Sequence, residues 1–350
     1  MTDDLAPRHA ALQQTPGPRP LPLFLNLVQH VSEHDPELAR SALEGLHFYQ
    51  TAPRYAAQQD RKVVASIGGS TLLDCGGSGR PILLVPSLIN PPRILDLDPT
   101  VSLAEALTGS GHVLLLDWGS SSKRLDLDIS AHVTELLLPL LRELGEPTTL
   151  IGYCLGGTMA VAAAALDPNA AAVATLAAPW HFSAYPAEAR AALQRLWEDA
   201  RPSATQLGVL PIEVLQAAFW SLDPHRVVAK FAGLAALDPA SPEAQRFIAL
   251  EDWANSGEPL PLPAARELLV QLFGRDLPGN GQWLGAGLPK CPMLHLTASG
   301  DRIVPAETAV SEGQRLSCGS GHVGMIVGRS APQALHAPLR QWLEALPTRG

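Results

Sequence analysis

A chain of 350 residues, 46% of them hydrophobic, can bury a large core, which excludes a wholly disordered protein. A formal charge of −9 and a pI near 5.6 argue against nucleic acid as partner. The four cysteines (75, 154, 291 and 318) form no C-x-x-C pair, so neither a metal site nor a disulfide framework is indicated, and the cytoplasm is the expected location.

Residues 1 to about 20 hold four prolines and no periodic pattern, which predicts a flexible arm. The opening Met-Thr-Asp-Asp-Leu-Ala-Pro-Arg-His has no basic stretch followed by an apolar one, so no signal peptide is expected. From 22 to 55, apolar residues at helical spacing (Leu23, Phe24, Leu27, Val28, then Leu38, Leu43, Leu46) predict one or two helices. Lys62-Val-Val-Ala-Ser and Ser70-Thr-Leu-Leu-Asp then alternate like the strands of a hairpin.

A strongly α/β pattern follows. Pro81-Ile-Leu-Leu-Val-Pro, Val113-Leu-Leu-Leu-Asp, Thr149-Leu-Ile-Gly-Tyr, Ala172-Val-Ala-Thr-Leu-Ala-Ala and Pro292-Met-Leu-His-Leu-Thr-Ala are short unbroken apolar runs. Separated by helical stretches at 129–144 and 155–166, they predict buried parallel strands with crossover helices. The greasiest stretch, 160–178, is interrupted by Asp167, Pro168 and Asn169 and is not expected to span a membrane. Between 181 and 288 the pattern turns to helical segments broken by prolines, which predicts a cap inserted between core strands. The expected organisation is an arm and helices over 1–60, then a catalytic domain over 61–350 with the cap at about 181–288.

The third of the longer apolar runs ends in Ile151-Gly-Tyr-Cys-Leu-Gly-Gly157, just before an alanine-rich helical run. Glycines two residues either side of Cys154 let backbone crowd a tight strand-to-helix turn, the elbow that presents a nucleophile. Alone, such a pattern is commonly a chance match around a small buried thiol. Two further motifs follow it. Ser299-Gly-Asp301-Arg-Ile-Val-Pro305 places a carboxylate just past a predicted strand, and Ser317-Cys-Gly-Ser-Gly-His322-Val-Gly places a histidine in a glycine-rich loop before the last helix. Nucleophile, acid and histidine in this order are the arrangement of α/β-hydrolases. The expected fold is therefore an α/β-hydrolase fold with a mostly parallel central sheet and an inserted helical cap. Sulfur in the serine position suggests acyl transfer through a thioester.

The expected oxyanion donors are backbone amides: Leu155 at the start of the helix after the nucleophile, and Leu88 or Ile89 in the loop Val85-Pro-Ser-Leu-Ile-Asn90. Cys75, Cys291 and Cys318 are expected to be structural. His112 and His295 are expected to pack in the core, while His132, His225 and His336 read as helix-face residues. His181, at a predicted strand end, is a candidate for the pocket border. Asp117 is expected to hold a strand end.

These residues resemble the polyhydroxyalkanoate synthases. Gly152-Tyr-Cys-Leu-Gly-Gly157 is similar to that family's lipase-like box with cysteine for serine. Val85-Pro-Ser-Leu-Ile-Asn90 with Ile94-Leu-Asp-Leu, Leu115-Leu-Asp-Trp-Gly119, Gly300-Asp-Arg-Ile-Val-Pro305 and Gly321-His-Val-Gly resemble four more of its motifs, over about 60–345. The resemblance implies Cys154 as covalent acyl carrier, His322 as general base and Asp301 as its supporting carboxylate. It implies 3-hydroxyacyl-CoA as substrate with no further cofactor, a polyester granule in the cytoplasm, a homodimer, and a second synthase subunit of the kind short synthases use. Departures lie in the cap, which is rich in proline and alanine and lacks several of the aromatic residues expected around that family's channel. A thioesterase or polyester hydrolase with the same triad, and a non-catalytic granule-associated relative, are the competing readings.

Overall fold

The computed structural model describes residues 17–54 and 61–347, so most of the expected N-terminal arm lies outside the described residues. These residues fall into two units. The first takes its described residues from 17–54 and 224–255, the second from 61–223 and 256–347.

The first unit is helical. The two helices expected near the N-terminus run over Leu21–Ser32 and Pro36–Thr51, the second capped by Asp35, whose side chain accepts the Leu38 amide. They join Pro224–Ala235 and Pro242–Asn255, which come from the middle of the long inserted stretch. Phe24, Tyr49 and Phe231 form its buried aromatic centre, with edge contacts between rings at 4.8 and 5.9 Å. Gly45 lets the helix Pro36–Thr51 lie directly on the backbone of Phe231.

The second unit is built on an eight-stranded sheet: β1 (Lys62–Ile67), β2 (Ser70–Gly76), β3 (Pro81–Val85), β4 (His112–Asp117), β5 (Thr148–Tyr153), β6 (Ala170–Leu176), β7 (Met293–Ala298) and β8 (Gln314–Cys318). Their spatial order is β1-β2-β4-β3-β5-β6-β7-β8. β2 runs antiparallel to both neighbours, and β3 to β8 are parallel. Every residue of β3 and β5 is buried, as a strand covered on both faces requires. β8 was not legible as a strand: Gln-Arg-Leu-Ser-Cys is an exposed edge with little apolar content, so no periodic signal marks it.

The helix Leu155–Leu166 is buried along all but its last two residues, and its glycines and alanines are what allow this. A Cβ on Gly156 would meet the carbonyl oxygens of Val85 and Pro86, and one on Gly157 would meet Ala178. The helix therefore sits against the ends of β3 and β6 at a distance that only bare backbone permits. The expected helix over 129–144 is seen over Ile129–Glu143.

Between β6 and β7 the part of the insertion that belongs to this unit holds the long helix Ala187–Leu207 and closes on itself through a two-residue strand pair, Val209–Leu210 with Leu260–Pro261. Two buried carboxylates fasten it. Glu267 accepts from the Ser130 amide (2.8 Å) and the Trp283 indole (2.7 Å), and Asp276 accepts from the Phe182 amide (2.8 Å). Charge buried this way is held by donors rather than left bare.

The histidines divide differently from expectation in three places, His132, His336 and His112. His132 and His336 are buried rather than displayed on a helix face, while His225 is exposed. His295 is fully buried, its Nδ1 2.7 Å from the Thr175 hydroxyl, and His112 is about one-third exposed beside Asp74. Burial first, and nearby arginines after it, push His132, His295 and His336 down to about 4.

Two predictions follow from this packing. The three histidines are neutral in the folded chain but bind protons when unfolded below pH 6.5, so stability should fall as pH drops from about 6.5 to about 4. Each histidine contributes up to about 1.4 kcal/mol per pH unit in that window. Urea unfolding at pH 7, 5.5 and 4.5 reads this, and a flat profile would contradict it. Gly156→Ala should lower stability by about 1–3 kcal/mol, since the clash is with backbone and has no side chain to move aside. Thermal denaturation checks that loss.

Candidate active site

β5 passes to the helix Leu155–Leu166 through one residue, Cys154. Its backbone is at φ 55 and ψ −130, which L-residues adopt at a cost of about 1–3 kcal/mol. The surroundings hold it there. The Cys154 amide donates to Leu176 O (2.9 Å) and its carbonyl accepts from the Gly157 amide (2.9 Å). Gly152 and Gly157 nearly touch across the turn, where either side chain would collide with backbone. The thiol of Cys154 is only partly buried, whereas Cys75 and Cys318 are buried.

Asp301 and His322 are brought together by the two parallel strands that precede them. Ala298 at the end of β7 pairs with Cys318 at the end of β8. The pairing continues into the loops, with Ser299 N donating to Cys318 O and Gly300 N to Ser320 O, both at 2.9 Å. Three residues past one strand and four past the other, the Asp301 carboxylate accepts from His322 Nδ1 at 2.7 Å. The other carboxylate oxygen accepts the amides of Ile303 and Val304, each at 2.8 Å, so the buried carboxylate is held by three donors. With Nδ1 committed to Asp301, Nε2 is the nitrogen left to serve the Cys154 side chain, which lies near enough to shift the titration of His322.

Burial by itself disfavours the imidazolium of His322. Burial is the largest single effect; charge at Cys154, the hydrogen bond and charge of Asp301 and the nearness of the Cys154 side chain outweigh it only together, and the histidine is pushed up to about 10. A thiol, an imidazole and a carboxylate coupled in this way can carry a proton away from sulfur and store it on nitrogen.

Two tyrosines not singled out as site residues belong here. Tyr153 lies flat on the His322 ring (centroids 5.0 Å apart, planes at 30°) and its hydroxyl donates to the His322 carbonyl at 3.3 Å. It stands inside the Gly-Tyr-Cys motif, so its place, though not its stacking, was visible in the sequence. Tyr185 comes from the inserted stretch and packs between Phe182 and Phe273. Burial, then the negative charges at Cys154 and Asp301, hold its phenol well above the usual value. No local motif announces it. Trp180, just before the inserted stretch, and Trp283, near its end, are in edge contact at 6.4 Å.

Of the expected backbone donors, Leu155 is the first residue of its helix, where amides lack intrahelical partners. Leu88 and Ile89 are buried in the loop after β3. The Ile89 amide donates to the Ser87 hydroxyl at 3.3 Å and is thereby engaged. Asp117 accepts the Gly119 amide (2.9 Å) at the end of β4, and His181 meets Ser311 (3.1 Å). Among the described residues no cluster of three or more His, Cys, Asp and Glu could hold a metal ion. No helix among them is long and apolar enough to cross a membrane.

No protein-family model matches the chain. Curated proteins do. The chain is similar to the poly(3-hydroxyalkanoate) polymerase subunit PhaC of Haloferax mediterranei, 27% identical over 291 residues, covering 75% of this chain and 58% of that protein. The subunits of the same name from Haloarcula marismortui and Synechocystis are 26% and 24% identical, the match covering 75% of this chain in each case and 60% and 77% of theirs. The chain thus spans about 60% of the length of the first two relatives. Among solved structures, an epoxide hydrolase variant from Bacillus megaterium superposes with a TM-score of 0.53 at 14% identity, covering 81% of this chain and all of that one. E-2-(acetamidomethylene)succinate hydrolase does so with a TM-score of 0.51 at 16% identity, again covering 81% and 100%. Sheet order, elbow and these superpositions agree: the chain has the α/β-hydrolase fold and is a sequence relative of the poly(3-hydroxyalkanoate) polymerase subunits.

Proposed function

We propose that the protein is an acyltransferase of the polyhydroxyalkanoate synthase type, moving 3-hydroxyacyl groups from CoA through a Cys154 thioester to a growing polyester. The observation that carries this reading is the hydrogen bond that sets His322 on Asp301, electrostatically coupled to a thiol at the elbow, in a relative of polymerase subunits. His322 takes the Cys154 proton. The thiolate adds to the acyl carbon, and the oxyanion is received by the amides of Leu155 and Leu88. A donor so placed stabilises the transition state by about 3 kcal/mol. CoA leaves as its thiolate, protonated by the imidazolium, and the acyl group stays on sulfur. A 3-hydroxyl of a second acyl unit then gives its proton to His322 and attacks the thioester, and Cys154 departs.

Sulfur suits this cycle because exchange between two thioesters is nearly balanced in energy, so the acyl group remains activated for its acceptor. Asp301 fixes the imidazole tautomer and stabilises its charged form. A 3-hydroxyacyl-CoA substrate, a granule surface, a cytoplasmic site, a homodimer and a second synthase subunit complete the proposal. They rest on the likeness to the polymerase subunits and on the sequence motifs.

Incubation with 3-hydroxybutyryl-CoA, alone and with a synthase partner subunit, tests it. CoA release with insoluble polyester is the expected result, while release with only free 3-hydroxybutyrate would show a hydrolase. Cys154→Ala should abolish turnover by at least about a thousandfold. The raised value of His322 gives a second check. Asp301→Asn removes the hydrogen bond and charge that favour the imidazolium, and Cys154→Ala removes the larger favourable charge. Each should bring the titration of His322 down from about 10, the second variant further, as read by NMR of the imidazole carbons. An unchanged titration in both would break the proposed coupling.

A further inference from the structure

Trp118 follows β4 and is 3% exposed, yet its indole N–H reaches out of its own segment to donate to Pro86 O, the first residue after β3, at 3.0 Å. The tryptophan is held from several sides. Its carbonyl accepts the Ser70 hydroxyl at 2.9 Å, and its ring meets His132 edge-on with centroids 5.7 Å apart. His132 in turn is fixed at both nitrogens, Nδ1 donating to Asp128 O (2.6 Å) and Nε2 accepting from Arg124 (2.7 Å), a pattern only the neutral ring allows. Arg124 also donates to Gly119 O at 3.0 Å, closing the bracket around Trp118.

What this bracket holds is the loop that carries Leu88. The Pro86 carbonyl oxygen lies within 2.5 Å of where a Cβ on Gly156 would be, beside the first turn of the helix that begins at Leu155. The Leu155 and Gly156 amides of that turn have no partners within the helix, so a carbonyl beside them competes for the place an oxyanion would take. Past Pro86 the loop is packed on one side only: Ser87, Leu88, Ile89 and Asn90 border a cleft of about 480 Å³ that Trp118 and Arg124 also line. Because a peptide is planar and trans, the carbonyl of Pro86 and the amide of Ser87 point to opposite sides, and fixing one fixes the other. The Ser87 hydroxyl then accepts the Ile89 amide and carries that orientation across Leu88.

We infer that Trp118 is a positioning residue for acyl transfer: its indole N–H keeps the Pro86 carbonyl from the first-turn amides and sets the loop after β3 for oxyanion stabilisation. The inference rests on the proposed role of Cys154 as acyl carrier. It predicts a defect in steps that form an oxyanion and none in steps that use only the thiolate.

The full-length protein is compared with Trp118→Phe and with a variant carrying 3-benzothienylalanine at 118, which keeps the indole shape and lacks the N–H. Acylation of Cys154 by p-nitrophenyl butyrate is followed as the nitrophenolate burst, and alkylation by iodoacetamide, which passes through no oxyanion, as loss of thiol. Burst rates should fall about tenfold to a hundredfold in both variants, with apparent KM and alkylation rate within about twofold of wild type. Equal burst rates in wild type and the benzothienyl variant would overturn the inference, as would a parallel fall of burst and alkylation. The absence of any Cys154-dependent burst in wild type would instead overturn the acyl-carrier reading, and the inference with it.

Discussion

The turn at Cys154 is the constraint on which the rest of the second unit depends. One residue must reverse the chain from a fully buried strand into a buried helix, and it can do so only at a positive φ that L-residues resist. Nothing in Cys154 itself favours that conformation. It persists because Gly152, Gly156 and Gly157 allow three backbone segments to touch, and because Leu176 O and the Gly157 amide grip the residue on either side. The strain and the close packing are one device: the chain spends stability to push a thiol out where other side chains can reach it.

Around that thiol the electrostatics run against burial. An imidazole enclosed as fully as His322 would ordinarily be neutral, as His132, His295 and His336 are. His322 differs because it faces negative charge on two sides, from Cys154 and from Asp301, and the second of these is itself pinned by two amides. The contrast among four buried histidines in one unit shows that neighbours, not depth, decide which one is charged. Tyr153, stacked on the ring and bonded to its backbone, keeps the imidazole from turning away from that field.

Much of this was legible in the sequence because it is local. Unbroken apolar runs such as Pro81 to Val85 and Thr148 to Tyr153 mark buried parallel strands, and glycines spaced about a cysteine mark a tight turn. Other features leave no local trace. β8 is an exposed edge whose polar residues carry no period, though it is the strand that delivers His322. His132 sits in a helical pattern like any surface residue, and only Arg124 and Trp118, brought from the preceding loop, make it a buried acceptor. Tyr185, packed between Phe182 and Phe273, comes from a stretch in which no local motif marks it.

The sequence by itself determined the order of nucleophile, acid and histidine, the class of fold and the exchange of oxygen for sulfur, since each is written in residue identity and short-range spacing. Tertiary structure alone decided that Asp301 and His322 meet at 2.7 Å, through the parallel register of two strands that pair Ala298 with Cys318. It also decided that residues 224–255, which read as part of one continuous insertion, fold with the N-terminal helices instead. The reason is the same in both cases: pairing and packing between segments far apart in the chain depend on complementary surfaces, which spacing along a single segment does not encode.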